Sequence, residues 1–361
     1  MSENTESLRP GKYFPAELPA PEAADILAEL ARFGCAAQGE IRLIDSSHSA
    51  DDLRLNYIVD RRRVLRLCSA PDMSERRIAE LNRLIGRYRD FGLRCPAFIP
   101  DAAGRYLHDR NGLCCYLSEY VDLPLLSELP EERQDEIWPE VPDSVARFAE
   151  AYRDMDLSDT PGMYSLFDLN PFDRPFGVDE KQQNFNRLIR FLREDGQDGT
   201  ADRLEARHAE ERRWLLAVHR SLPRCFFQGD ENASNVLVED GHMAGLIDFN
   251  LAGTEVVVNQ LANLGGGFDE EAQTPEGAEV RLRHALDEYR ALRTRLLRLY
   301  HATETERQAM ARYTWIALAA GWPQLCFFLH ALRGGGAMKE EILALLELLA
   351  ALPEEELLAT D

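Results

Sequence analysis

The sequence has almost no lysine. Of its 41 basic residues three are lysine, Lys12, Lys181 and Lys339, and the other 38 are arginine. Over most of the chain, then, a site that needs a cation must use a guanidinium, a planar fork rather than a point charge. Basic charge of either kind is in deficit, because 63 acids leave a net charge of −22. No basic stripe offsets it, which excludes nucleic acid as a partner. Metal-type cysteine spacing is also missing. The seven cysteines, at 35, 68, 95, 114, 115, 225 and 326, form no C-x-x-C pair. Several lie in apolar runs and read as buried thiols, which suits a reducing cytoplasm. No apolar run approaches the roughly 18 residues of a membrane span. The start, MSENTESLRPGKYF, lacks the basic region and apolar core of a signal peptide. Internal repeats are absent too, and nothing in the pattern fixes an oligomeric state.

What is present is ordinary globular composition, 45% hydrophobic over 361 residues, enough for two lobes. The informative stretch is CFFQGDENASNVLVEDGHMAGLIDFNLAG, from Cys225 to Gly253. An apolar run ends at Gln228-Gly229-Asp230. A polar turn leads to a β-like run, Val236 to Val238. Asp240-Gly241 is a two-residue hairpin signal, and a second β-like run, Gly245 to Ile247, presents Asp248. Strand end, loop and hairpin so gather Asp230, Asn235 and Asp248 at offsets i, i+5 and i+18. Phosphoryl transfer needs such a set: one carboxylate to orient or deprotonate the acceptor hydroxyl, and an amide oxygen and second carboxylate to hold Mg²⁺ on nucleotide phosphates. The bland reading is a hairpin with solvated turn acids. Apolar runs leading into all three positions argue against it.

The order G-D-x-x-x-x-N, hairpin, I-D-F resembles the aminoglycoside phosphotransferase and choline kinase group of small-molecule kinases. Gly229, Asp230, Asn235, Ile247, Asp248, Phe249, Ala252, Gly253, Leu261 and Ala262 match that group's pattern. Gln228 stands where the group has His, Asn250 where a second acid is usual, and Asn259 near the usual Asp of D-L-A. The first and third of these positions brace the loop by hydrogen bonds, which amides also make. The resemblance implies a two-lobed protein-kinase-like α+β fold, with a small antiparallel-sheet N-lobe (1–120) and a mainly helical C-lobe (121–361). The C-lobe would carry a catalytic loop at 228–235 and a metal-binding segment at 246–253.

Along the chain, a loose arm is followed by a helix at Pro21 to Phe33. Strands follow at 41–44, 55–59 and 64–67, then a helix from Ser74 to Phe91 with Ile78, Leu81, Leu84 and Ile85 on one face. The kinase layout puts a phosphate-binding cation on the third strand, and Arg66 is the matching residue. Leu65 and Leu67 flank it, so it faces the other way. The alternative is a solvent-facing arginine. Glu80 is its expected partner on the helix, with Glu75 a substitute. The turn that should cover the phosphates has no glycine from Asp45 to Asp52; Ser46, Ser47 and Ser49 offer hydroxyls and N–H groups, and His48 reads as a loop residue. Leu113 to Val121 is a buried strand whose end, Glu119, Tyr120 and Val121, would meet the nucleobase. The stretch 156–175, with Tyr164, Phe167 and Phe172, reads as a packing or acceptor-side loop. Helices are expected at 143–155, 180–193, 201–222, 276–301, 304–332 and 337–351, and Pro353 to Glu356 as a solvated tail.

The expected function is transfer of the γ-phosphoryl group of ATP, or GTP, to a hydroxyl of a small molecule, with Mg²⁺. Asp230 is the base, Asn235 and Asp248 the metal ligands, and Arg66 with Glu80 the phosphate clamp. Glu231 and Asp269 to Glu271 are expected to rim the acceptor and to favour a cation such as an aminoglycoside or amino alcohol. The second reading is a catalytically silent nucleotide-binding module, to which the missing glycines, Gln228 and Arg66 lend weight.

Overall fold

The computed structural model describes residues 16–17, 20–47, 53–69, 73–153, 160–170, 174–265, 267–268 and 275–358. The arm at 1–15, His48 and Ser49, Phe172 and Asp269 to Glu271 lie outside them. In chain order the strands are β1 (Ala16–Glu17), β2 (Ile41–Asp45), β3 (Arg54–Val59), β4 (Arg63–Cys68), β5 (Phe98–Ile99), β6 (His108–Arg110), β7 (Leu113–Glu119), β8 (Arg224–Phe227), β9 (Val236–Glu239), β10 (His242–Leu246) and β11 (Gly253–Val256). The helices are α1 (Ala20–Arg32), α2 (Glu75–Asp90), α3 (Glu131–Ile137), α4 (Glu140–Tyr152), α5 (Glu180–Glu194), α6 (Asp198–Val218), α7 (Val257–Asn263), α8 (Ala278–Leu296), α9 (Glu304–Ala320), α10 (Trp322–Gly334), α11 (Gly336–Ala351) and α12 (Glu354–Leu358). They form two compact units, 1–130 with 232–247 and 131–231 with 248–361.

The first unit is an antiparallel sheet in the order β1-β2-β3-β4-β7-β5, with β6 also on β7. Its tight turns follow from residues that tolerate positive φ: Asp60 and Arg61 (53° and 51°) join β3 to β4, and Asn111-Gly112 (53° and 83°) joins β6 to β7. Strand alternation sorts β4 between two faces. Leu65 and Leu67 pack with Ile26 and Leu30 of α1 and with Phe33 just beyond it. Cys68 packs on the other face with Tyr116 and with Ile78 of α2. Arg66 is paired across the ladder with Asn56 and Tyr116, so it shares the α2 face, as its leucine neighbours predict.

The hairpin β9–β10 turns at Asp240 and Gly241, both at positive φ (52° and 83°). It is fixed to the rest of its unit by Arg94, whose N–H donates to Ala244 O (2.8 Å) and whose carbonyl accepts from Leu246 N (3.2 Å). Val238 N donates to Pro124 O at 2.9 Å. The approach to Arg94 requires glycine at 245, since a Cβ there would lie 1.8 Å from Arg94 O.

Among the described residues the second unit is helical apart from one antiparallel pair, β8 with β11, in which Phe227 opposes Gly253 and Cys225 opposes Glu255. Its core holds Trp315, whose indole N–H donates to Leu349 O at 2.9 Å. The sequence reading differs from the structure in three places. The helix expected at 304–332 is two helices, broken where Gly321 precedes Trp322-Pro323. Glu304–Gly334 is long and apolar enough to cross a membrane by composition, but 72% of its most apolar window is buried inside the protein, as core helices are. The acidic end, Pro353 to Glu356, is largely exposed as expected but is not a loose tail: it enters α12, which buries Leu357, and Arg312 of α9 pairs with Glu354 at 2.8 Å.

Gly245→Ala should destabilise the first unit by about 2 kcal/mol or more, the upper range for overpacking. Gly86→Ala, in α2 with open space around it, should stabilise by roughly 0.5–1 kcal/mol. Urea unfolding of both variants checks the pair. Equal midpoints would mean that Arg94 does not confine the hairpin.

Candidate active site

The ladder between β8 and β11 ends at Phe227 and Gly253, and from there the two chains diverge into Gln228–Asp230 and Asp248–Ala252. Gln228 joins them. Its side chain is fully buried; Nε2 donates to Asp248 O (2.7 Å), and Oε1 accepts from Asp230 N (2.7 Å). One amide thus performs both halves of the bracing expected of it. Gly229, at φ 82°, lies against Leu251, where a Cβ would come within 2.8 Å of the carbonyl oxygen. Asp248 is exposed and holds a left-handed φ of 53°, a conformation that aspartate tolerates better than most residues. Asn250, at the usual second-acid position, donates its backbone N–H toward Asp248 Oδ1 at 3.4 Å. The third departure, Asn259, donates to Tyr164 O at 2.6 Å and to Glu255 Oε1 at 3.2 Å, so it too braces.

Asn235 belongs to the first unit. It is buried, donates its N–H to Asn232 O (2.9 Å) and accepts at its carbonyl from Ile247 N (2.9 Å). That last bond ties Asn235 to the residue before Asp248. The other expected residues of this unit are placed as follows. Arg66 is half-buried on the α2 face of β4. Glu80 is buried on α2 and accepts from Arg76 Nε at 3.2 Å. Glu75, the substitute, accepts from the Tyr106 and Leu107 N–H groups at 2.9 and 2.8 Å, a structural task. The serine hydroxyls close their own turn: Ser46 Oγ donates to Arg54 O (3.1 Å) and Ser47 Oγ accepts from Arg54 N (2.9 Å). The Glu119 and Tyr120 N–H groups donate to Ala97 O and Arg62 O at 2.9 and 2.8 Å. Val121 O accepts from Leu123 N at 3.0 Å.

Two buried acids of the second unit carry the largest surprise. Glu231, expected on an exposed rim, is only 7% exposed and turned inward. Its Oε1 accepts from Gly229 N (3.3 Å) and its Oε2 from Gln260 Nε2 (2.9 Å). Burial, reinforced by the neighbouring Asp230 charge, raises its pKa to about 7. Glu255 is buried between β11 and the 160–170 loop, with Oε1 accepting from Val256 N at 2.7 Å and Oε2 making no hydrogen bond. Burial raises it to about 7 as well. The sequence signal for both was the run VVVNQLAN, in which two amides, Asn259 and Gln260, interrupt an apolar helix.

Asp248 follows the end of β10 by two residues, and the Gly229 turn faces it across the Gln228 amide. The model of the phosphotransferase enzyme family matches residues 40–295, and the chain belongs to that family. It is a small-molecule kinase with a protein-kinase-like fold. A microcompartment-associated aminopropanol kinase is similar in structure at a TM-score of 0.56, with 12% identity over 92% of this chain and 96% of the other. An aminoglycoside phosphotransferase in ternary complex with streptomycin and ATP gives 0.45, with 13% identity over 92% and 99%. A macrolide 2'-phosphotransferase of Brachybacterium faecium gives 0.40, with 17% identity over 89% and 97%. No curated protein matches the sequence.

Glu255 makes stability depend on pH with a definite sign. Its folded pKa is raised from 4.5 to about 7. Its contribution is therefore complete below pH 4.5 and is lost as pH rises through 7. Glu255→Gln, which keeps the Val256 and Asn259 contacts through its remaining oxygen, should be near neutral at pH 4.5. At pH 8 it should stabilise by up to roughly 3 kcal/mol, at about 1.4 kcal/mol per pKa unit. Melting temperatures at both pH values give the measurement, and an equal or smaller gain at pH 8 contradicts the assignment.

Proposed function

We propose that this phosphotransferase moves the γ-phosphoryl group of ATP, or of GTP, to a hydroxyl of a small molecule. The observation that carries the reading is the single Gln228 amide that holds both the Asp230 N–H and the Asp248 carbonyl. It couples the backbone of a base to the backbone of a metal ligand, so that neither carboxylate is free to drift. Asp230 orients the acceptor hydroxyl and takes its proton. Arg66, on the same sheet face as the helix that carries Glu80, holds phosphate oxygens, with Ser46 and Ser47 shaping the adjoining turn. The segment Glu119, Tyr120 and Val121 meets the nucleobase. In this reading residues 1–120 bind the nucleotide, and 121–361 carry the catalytic loop at 228–235 and the metal-binding segment at 246–253.

Asn235 and Asp248 suit Mg²⁺ by donor chemistry: an amide oxygen and one carboxylate, with no cluster of three His, Cys, Asp or Glu among the described residues. Magnesium of this kind takes one or two protein oxygens and completes its shell with phosphate and water. When bound, it supplies charge neutralisation on the phosphates. An ammonium-bearing acceptor is the narrower reading, supported by the −22 net charge. Glu231 is withdrawn as its contact, because it is buried. Seven cysteines without a disulfide agree with a reducing cytoplasm.

Asp230→Asn should lower acceptor-dependent ADP release at least about a hundredfold, the scale of a positioned base, and leave nucleotide affinity nearly unchanged. A screen of hydroxyl compounds identifies the acceptor, and a catalytically silent module would release no ADP with any of them. Turnover close to wild type in Asp230→Asn removes that residue from the chemistry.

Asp248→Ala should abolish the tightening of nucleotide binding by Mg²⁺, while Asn235→Ala weakens it. Nucleotide titrations with and without the metal decide. A metal effect unchanged in Asp248→Ala places the ion elsewhere.

A further inference from the structure

We infer that Glu231 and Gln260 are a positioning pair for the turn that presents Asp230. The inference rests on the reading of Asp230 as base, but its core is geometric. Beyond the last β8–β11 pair, the backbone at 228–230 is held by side chains. On one side the Gln228 amide takes the Asp230 N–H. On the other, Glu231 Oε1 takes the Gly229 N–H at 3.3 Å, and Gln260 Nε2 fixes the second oxygen at 2.9 Å. Gly229 sits at φ 82°, and the bonds made by its own N–H and by that of Asp230 orient the peptides on either side of it. Glu231 and Gln260 are 7% and 1% exposed, so water is a poor substitute for either partner.

Among the described residues the groups facing Glu231 are the Gly229 N–H, its own N–H, Gln260 from α7, the adjoining Asp230 carboxylate, and Tyr164, whose hydroxyl pKa burial raises and Glu231, Asp230 and Glu180 raise further. None of these is a cation; the Lys181 ammonium lies over the Tyr164 ring at 4.9 Å and forms its ion pair with Glu180. A buried carboxylate with no cationic partner, placed one residue from another acid, is a costly arrangement. It is supported here by hydrogen bonds alone. The role is geometric: the pair sets the direction of the peptide carrying Asp230. A displacement of about 1 Å at a reacting group costs on the order of a hundredfold in rate.

The test compares Glu231→Gln, Glu231→Leu and Gln260→Leu with Asp230→Asn. Amide hydrogen exchange over 227–231 needs no substrate. It should quicken at least about tenfold in both leucine variants, with α8 and α11 unchanged, and stay at the wild-type rate in Glu231→Gln, because an amide still accepts from Gly229 and can pair with a turned Gln260. ADP release from Mg·ATP with water as acceptor, counted per nucleotide-binding molecule, should fall about tenfold or more in the leucine variants at unchanged nucleotide KM. It should be rescued in Glu231→Gln. Unchanged exchange over 227–231, or exchange that rises equally throughout the helices, overturns the positioning role; so does a loss in Glu231→Gln as large as in Glu231→Leu. If Gln260→Leu quickens exchange while Asp230→Asn keeps full turnover, the pair stands and the assignment of the base falls instead.

Discussion

One side-chain amide holds together the two loops on which the proposed reaction depends. Gln228 is fully buried at the end of a strand, donates to the carbonyl of Asp248 and accepts from the N–H of Asp230. A buried donor or acceptor left unmade costs about 1–3 kcal/mol, so each loop stabilises the other's position. The β8–β11 ladder brings the loops to this point, and the approach of Gly229 to Leu251 leaves no room for a side chain there. Every other brace in the region, from Glu231, Asn259 and Gln260, elaborates the same solution. Backbone groups that have run out of ladder are satisfied by buried amides and carboxylates.

Much of this was legible in residue order. The spacing of Asp230, Asn235 and Asp248, the Asp240-Gly241 hairpin and the alternation around Arg66 each have a local cause, and the structure contains each of those local features. The amide at 228 was read as an adequate brace because hydrogen-bond capacity belongs to the residue type, whatever the fold. Helices with a strong apolar stripe, such as α2 and α5, begin and end within two residues of where their patterns do.

What the sequence hid has a physical reason too. Glu231 looks like a surface acid because glutamate is rarely buried; its local partner is a backbone N–H, which leaves no mark in residue order, and its side-chain partner Gln260 lies 29 positions away. The acidic end at 354–358 forms α12 because Arg290, Arg293 and Arg312, far earlier in the chain, accept it. The break at Gly321 is masked by a periodic pattern that continues on both sides, although Gly321 followed by Pro323 is itself a local stop signal. Burial by distant partners defeats local reading in the first two cases.

The division of the chain carries a consequence for how the molecule is made. The first unit consists of residues 1–130 and 232–247, and the groups of Arg94 and Pro124 that hold the hairpin find their partners only at 238–246. A ribosome therefore releases most of a sheet and then a long helical stretch before the last two strands of that first unit exist. The N-terminal segment cannot finish folding in order of synthesis, as chains with contiguous domains do. Its polar edge at Arg94 stays open to water, or to a chaperone, until the hairpin emerges. The hairpin between Asp230 and Asp248 is thus also the piece that completes the first unit.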